Sequence, residues 1–600
     1  MDRFAAGLPW GAQLLPDGAR TRFRLWAPSC EAVGLEIAGR EPLSMPASGE
    51  GWFEAEVPVG AGARYRFRVS PDLAVPDPAS RLQAGDVHDD SVVVDPRAYR
   101  WRHADWMGRP WHETVLYEVH AGTMGGFRGV MRDLPRLRDL GVTAVELMPI
   151  TDFSGSRNWG YDGVLPYAPD AAYGSPEDLK ALVDEAHGLG LMVFLDVVYN
   201  HFGPDGAYLH AFAKEFFDEG IHTPWGAAID FRQAAVREFF EANALYWLRE
   251  YRFDGLRFDA VHAIAENGWL DHLAARIRRE IEAETPGRHV HLVLENEHNG
   301  ARHLRSEPGA AGFDAQWNDD GHNVLHPLLT GEHEGYYEDF ADDGANKLAT
   351  VLREGFLFQG QHSDHSGKAR GEPSAYLPPT AFVQFLQNHD QIGNRAFGDR
   401  LSTLTDPQAL KAATALLLLA PQIPMLFMGE EWWASSPFLF FTGFPSPELA
   451  GAVREGRRKE FARFTAFQDE SIRARIPDPN AEETFRASIP DRTEMSGGVH
   501  AEALALHRSL LALRHVEIIP RLLGAKAIDA RAVGEKAVLA SWRLGDGAVL
   551  TLAVNLGPEA TQVSATASRT LHETVPGAAQ ALASGVLPPR CTVALLEIAR

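Results

Sequence analysis

A chain of 600 residues, 45% hydrophobic and 23% charged, is too long for one ordinary core and has the composition of a soluble multidomain protein. Its 81 acidic against 57 basic side chains leave a formal net charge of −24, which argues against nucleic acid as a partner and fits a neutral ligand. The only two cysteines, Cys30 and Cys591, imply no disulfide framework. No basic-then-apolar leader is visible, and the most apolar run (415–429) holds two prolines; a cytoplasmic setting with no membrane partner is therefore expected.

In chain order, TRFRLWAP (21–28), AVGLEI (32–37), GWFEAEV (51–57) and ARYRFRV (63–69) alternate polar and apolar residues between Gly, Pro and Asp turns, which predicts a β-sandwich over 1–96. Residues 75–96 have the composition of a linker. From there to about 520 strands alternate with helices. SPEDLKALVDEAHGLG (175–190) is the most legible helix: Ser175 as N-cap, Pro176 in the first turn, Asp178 at the capping-box position, and Gly188 and Gly190 as the stop. Apolar strands are expected at 115–119, 142–148, 191–198, 255–259, 290–295, 312–317, 382–387 and 423–428. Eight such units predict a (β/α)8 TIM barrel, since no Gly-rich phosphate turn supports a doubly wound sheet. A helix at 501–516 and strands at 537–544 and 548–556 predict a C-terminal β-sandwich over 521–600. The expected fold class is a multidomain chain with a central barrel over 97–520 flanked by two β-sandwich domains.

In such a barrel the reactive groups gather at the C-terminal strand ends. There the sequence places Asp196 at the end of the third strand with Asn200 and His201 after it, Arg257 and Asp259 on the fourth, Glu295 on the fifth, and Asn388, His389 and Asp390 after the seventh. Strand side chains alternate, so Arg257 and Asp259 share one face while Leu256 and Phe258 share the other. Taken singly, the Arg257–Asp259 pair reads first as a structural strand-end ion pair, and His201 and His389 equally as capping groups or substrate contacts. Glu297 points the same way as Glu295 and competes with it. Three carboxylates converging from three strand tips serve no packing purpose, however, and a carboxylate pair across a bond is what glycoside hydrolysis needs. Asp259 is the natural nucleophile, kept ionised by Arg257. Glu295 is the natural acid, whose proton burial and a neighbouring charge would retain, and Asp390 would hold ring hydroxyls. His322 and His326 lie four apart, but Asn323 replaces the glutamate of a zinc motif, so no metal is expected there.

DVVYNH (196–201), GLRFDAVH (255–262), LEN (294–296) and QNHD (387–390) together resemble the four signature regions of the α-amylase superfamily of retaining glycoside hydrolases. The resemblance implies Asp259 as nucleophile, Glu295 as acid/base and Asp390 as transition-state stabiliser. It also implies Arg257, His201 and His389 as contacts to the attacked glucose, with Tyr161 as its aromatic platform. Longer stretches (75–83, 315–332, 388–401, 425–444 and 448–461) resemble the maltooligosyltrehalose trehalohydrolase family. That family releases trehalose from the end of maltooligosyltrehalose by cutting the adjacent α-1,4 bond, and it implies functional coupling to a maltooligosyltrehalose synthase. Its N-terminal domain is expected to be carbohydrate-binding-module-like. The chain departs from the pattern at Leu294 and at Gly443–Phe444. Asn200 matches a calcium-ligand position, but the loop from 201 to about 230 is too short for the domain that completes that site, so no calcium and no other cofactor is expected. Trp317, Asn318, Asp319, Asp320, Glu430 and Glu431 are expected to line the leaving-group side. The rival readings are a glucan branching or debranching enzyme and a catalytically inactive glucan-binding scaffold.

Overall fold

The structure is a computed structural model that describes residues 4–598 except 224–225, 266–267, 306–311, 463 and 465–466. Of the segments read above, 1–3, 224–225 in the loop after the third barrel strand, and 599–600 lie outside the described residues.

The N-terminal strands form two antiparallel sheets. One runs Gly11–Leu14, Thr21–Trp26, Trp52–Val57, Ala47–Gly49; the other runs Leu43–Met45, Val33–Ile37, Arg64–Ser70, Leu73–Val75. Alternation supplies the inner faces, with Phe23 and Leu25 on the first sheet meeting Leu35, Tyr65 and Phe67 on the second. Phe23 and Tyr65 touch across the gap with ring centroids 4.8 Å apart. The stretch 75–96 is no free connector. Asp77, Ser80, Arg81 and Gln83 are buried. Asp77 accepts hydrogen bonds from the Tyr65 hydroxyl at 2.6 Å and from the Ala79 amide at 2.8 Å. Composition suggested a linker because these polar side chains satisfy buried backbone, a use that composition does not reveal.

Eight parallel strands close into a barrel in chain order: β1 (Leu116–Val119), β2 (Ala144–Leu147), β3 (Met192–Val197), β4 (Gly255–Phe258), β5 (His291–Leu294), β6 (Ala315–Trp317), β7 (Phe382–Gln384) and β8 (Ile423–Phe427). Each falls inside one of the eight expected segments, and β8 returns to pair with β1. One buried cluster fills the interior, built from Leu116, Ala144, Met192, Phe194, Val293, Ala315, Trp317, Val383, Ile423 and Met425. Leu256, Phe258, Leu292 and Leu294 point outward into the layer shared with the helices. The helix Pro176–Gly188 carries its full capping box, Ser175 Oγ accepting the Asp178 amide and Asp178 Oδ2 accepting that of Ser175. After the helix Gly498–Leu513, five antiparallel strands form the C-terminal sheet, in the order Lys526–Gly534, Ala537–Arg543, Val549–Asn555, Cys591–Glu597, Arg569–Glu573. The fold is thus a central TIM barrel with β-sheet regions on both flanks. No helix among the described residues is long and apolar enough to cross a membrane.

Candidate active site

Register sets the site. Asp196 on β3 lies beside Arg257 on β4, and Arg257 beside Val293 on β5, so one inward guanidinium sits level with the tips of three strands. Its Nη1 donates to Asp196 Oδ2 at 2.7 Å and to Asp259 Oδ1 at 2.8 Å, while its Nη2 lies 2.9 Å from Glu295 Oε2. Arg257 is completely buried. Trp317 lies beneath it, 4.2 Å from ring centroid to guanidinium carbon, in the geometry of a cation–π contact. Three carboxylates around one buried cation hold that arginine firmly charged.

The turn after β4 is strained. Ala260 adopts a left-handed conformation (φ 39°), uncommon for a residue with a Cβ. That twist aims its amide at Glu295, which accepts it at 2.7 Å. Asn200 donates from Nδ2 both to the Asp259 carbonyl (2.9 Å) and to Asp259 Oδ2 (2.8 Å), so each oxygen of the Asp259 carboxylate has a donor.

Around this centre stand the other sequence-identified groups. The Tyr161 hydroxyl donates to Asp196 Oδ2 at 2.6 Å, and its ring stacks on His389 with centroids 5.0 Å apart. His201 engages the Asn200 side chain through Nδ1 and the Tyr161 carbonyl through Nε2. Burial pushes His201 down to about 4, so it is neutral at pH 7. His389 behaves oppositely. Burial alone would lower it, but Asp390 and Glu118 outweigh that and raise it to about 9. Its Nδ1 contacts Glu118, and its Nε2 lies 3.4 Å from Asp390. Asp390 lies in the first turn of the short helix His389–Gly393, capped by Asn388. Asp319 is pushed well above the usual carboxylate range by burial and by the negative charges of Glu295 and Asp390. Glu297 differs: its side chain is 58% exposed, with His262 Nε2 3.6 Å away.

Five expected lining residues are positioned differently. Trp317 is floor, not rim. Asn318 is buried, donating to the Gly355 carbonyl at 3.0 Å. Asp320 is fully buried, accepting from Asn299 (2.8 Å) and from the Leu357 amide (2.9 Å), with Arg370 Nη2 2.8 Å away. Helical residues step round by about 100°, so Asp319 and Asp320 at the start of Asp319–Thr330 point to different sides, and of the three residues 318–320 only Asp319 stays partly exposed. Glu430 folds back to accept the Phe427 amide at 3.1 Å, and burial raises it to about 8. Glu431 is fully buried between Tyr117, whose hydroxyl donates at 2.9 Å, and Arg136 at 2.5 Å. His322 and His326 are structural too, bonded to the Leu386 carbonyl and to Glu332.

Two buried acids, Glu118 on β1 and Glu146 on β2, have no counterpart among the sequence candidates, and Asp196 on β3, placed there at a strand end, was given no role. Burial, opposed in part by Arg257, raises Asp196 to about 7. Glu146 is raised far more by burial and by Asp196 and Glu118, and both its oxygens lack a hydrogen-bond partner. The available signal was a single acid inside an otherwise apolar strand, in VLYEV and in VTAVELM. Among the described residues no cluster of three or more His, Cys, Asp or Glu is arranged to hold a metal ion.

The chain matches the family described as "Alpha amylase, catalytic domain" over residues 114–223 and a domain of unknown function, DUF3459, over 525–595. It is 44% identical over 509 residues to a malto-oligosyltrehalose trehalohydrolase of Deinococcus radiodurans, covering 84% of this chain and 82% of that one. To the protein of the same name from Rhizobium sp. (strain M-11) it is 41% identical, covering 82% and 84%. A glucan branching enzyme of Jannaschia sp. matches at 32% over only 51% of each chain. Among solved structures, a Salmonella typhimurium protein determined at 1.4 Å superposes with a TM-score of 0.91 at 43% identity, over 98% of this chain and all of that one. With an α-amylase catalytic barrel and relatives of this similarity spanning four-fifths of both chains, this chain belongs to the malto-oligosyltrehalose trehalohydrolase family.

Proposed function

We propose that the protein hydrolyses the α-1,4-glucosidic bond next to the terminal trehalose unit of maltooligosyltrehalose, releasing trehalose with retention of configuration. The observation that carries the mechanism is the single guanidinium that grips Asp259 through one nitrogen and meets Glu295 with the other. Two carboxyl groups on one planar fork are close neighbours, as a retaining pair about 5–5.5 Å apart must be. Glu295 gives its proton to the glycosidic oxygen of the leaving trehalose while the Asp259 carboxylate attacks the anomeric carbon. The resulting glycosyl-enzyme is opened by water, whose proton passes to Glu295 as its oxygen displaces Asp259. Arg257 and Asn200 keep Asp259 charged and aimed. Asp390 and His389 hold the hydroxyls of the attacked glucose, Tyr161 supports its apolar face, and His201 braces Tyr161. Asp319 faces the leaving trehalose.

The protein works in the cytoplasm on the product of a maltooligosyltrehalose synthase, with three domains divided near 96 and 520. Incubation with maltooligosyltrehalose and with the matching linear maltooligosaccharide tests the reading. Fast release of trehalose from the first, with little change in the second, is expected; new α-1,6 linkages would instead make it a branching enzyme. Asp259→Asn should abolish turnover and keep binding, whereas a wild type already without turnover would make it a scaffold.

A further inference from the structure

A cavity of about 1540 Å³, above the roughly 300–1,000 Å³ of ordinary small-molecule sites, lies at the opposite end of the barrel from the carboxylates. Trp111 precedes β1, Val290 precedes β5 and Gln422 precedes β8, so the cavity opens beneath the N-terminal strand ends. Its other wall is the segment 522–528, where the chain enters the first strand of the C-terminal sheet.

The lining reverses the charge of the molecule. Arg278, Arg279, Arg288, Arg305, Arg353 and Lys526 face three acids, Glu282, Asp314 and Glu354, in a chain whose formal net charge is −24. The acids do not neutralise this excess. Arg278 and Arg305 share one carboxylate, Asp314, which also accepts the Leu292 amide at 2.8 Å. Glu354 is taken by Arg353 at 2.6 Å. Arg279 and Lys526 are exposed. Beside the cations an apolar wall stays wet: Tyr376 is 59% exposed and Leu523 61%. Several guanidiniums in a concave, partly desolvated setting match the charge and forked geometry of a phosphate, and an open aromatic face beside them suits a sugar ring. A neutral glucan would leave the cations without counter-charge.

We infer that this cleft, remote from the reaction, binds a phosphorylated sugar, its phosphate held among Arg279, Arg305 and Lys526 and its ring against Tyr376. Full-length Asp259→Asn protein, which cannot turn substrate over, is titrated calorimetrically at low ionic strength with inorganic phosphate, glucose 6-phosphate and maltose. Glucose 6-phosphate should bind saturably at one per chain, and inorganic phosphate more weakly. Adding Arg279→Glu and Lys526→Glu should weaken both by at least about 10-fold. The same two changes in the otherwise wild-type enzyme should leave trehalose release unaltered, which also reports that the variant is folded. Arg305→Gln, which removes one of the two cations on Asp314, should weaken glucose 6-phosphate independently. No saturable binding of either phosphate compound, binding indifferent to all three substitutions, or maltose binding that the charge reversals weaken equally would overturn the inference.

Discussion

Arg257 meets three carboxylates with two nitrogens, and nothing else in the site could replace it. Lysine keeps the charge but presents it at one point, so it cannot hold Asp196, Asp259 and Glu295 in register. Arg257→Lys is expected to lower kcat for trehalose release by about 10²-fold or more while changing KM far less, because misalignment harms the reaction more than binding. Steady-state kinetics on maltooligosyltrehalose checks this. The two histidines of the candidate site make stability depend on pH in opposite directions. His389, raised to about 9 from 6.5, adds stability that is complete below pH 6.5 and lost as pH climbs through 9. His201, lowered to about 4, makes the native state bind fewer protons than the unfolded chain, so stability falls as pH drops from 6.5 towards 4. Urea midpoints at a series of pH values should therefore decline on both sides, and His389→Gln should flatten the alkaline decline while leaving the acidic one.

The helix Pro176–Gly188 shows how far local pattern reaches. Its cap is written in four consecutive residues and forms as written, so Ser175→Ala should cost about 1 kcal/mol in chemical denaturation with activity unchanged. The barrel was legible for a related reason. Each strand is a short apolar run between breakers, and two-residue parity alone puts Arg257 inside and Leu256 outside. Asp259, Glu295 and Asp390 were legible because acids at strand tips have no packing role. The rest was not, because the fate of a polar residue depends on partners far along the chain. Glu430 and Glu431 look like a polar rim until Tyr117 and Arg136, about 300 residues earlier, are seen to enclose Glu431. Asn318, Asp319 and Asp320 look equivalent until a helix turns two of them away. The buried acids Glu118 and Glu146 left a mark, one charge in an apolar strand, which only a closed barrel makes meaningful.

At the scale of the whole molecule, the flanking sheets are joined to the barrel by buried aromatics as well as by chain. Trp10 of the N-terminal region packs edge-on against Phe239 of the helix Ala234–Arg249 with centroids 4.9 Å apart. Trp542 of the C-terminal sheet is fully buried and donates from Nε1 to the Leu352 carbonyl at 3.3 Å, at the end of the helix Gly344–Glu354. Trp542→Ala removes that bond and opens a cavity at the junction. It should cost about 3–5 kcal/mol and split thermal unfolding into two steps, the C-terminal sheet separating first, as calorimetry would reveal.

The pairing of β8 with β1 has a consequence for how the protein is made. No ring of strand tips exists until Ile423–Phe427 has left the ribosome, some 300 residues after Leu116–Val119. At translation speeds of about 5–20 residues per second, the nascent chain spends roughly 15–60 s with the free edges of β1 and of its latest strand open to solvent. Chaperone dependence during synthesis should therefore peak in that interval and end when the eighth strand docks.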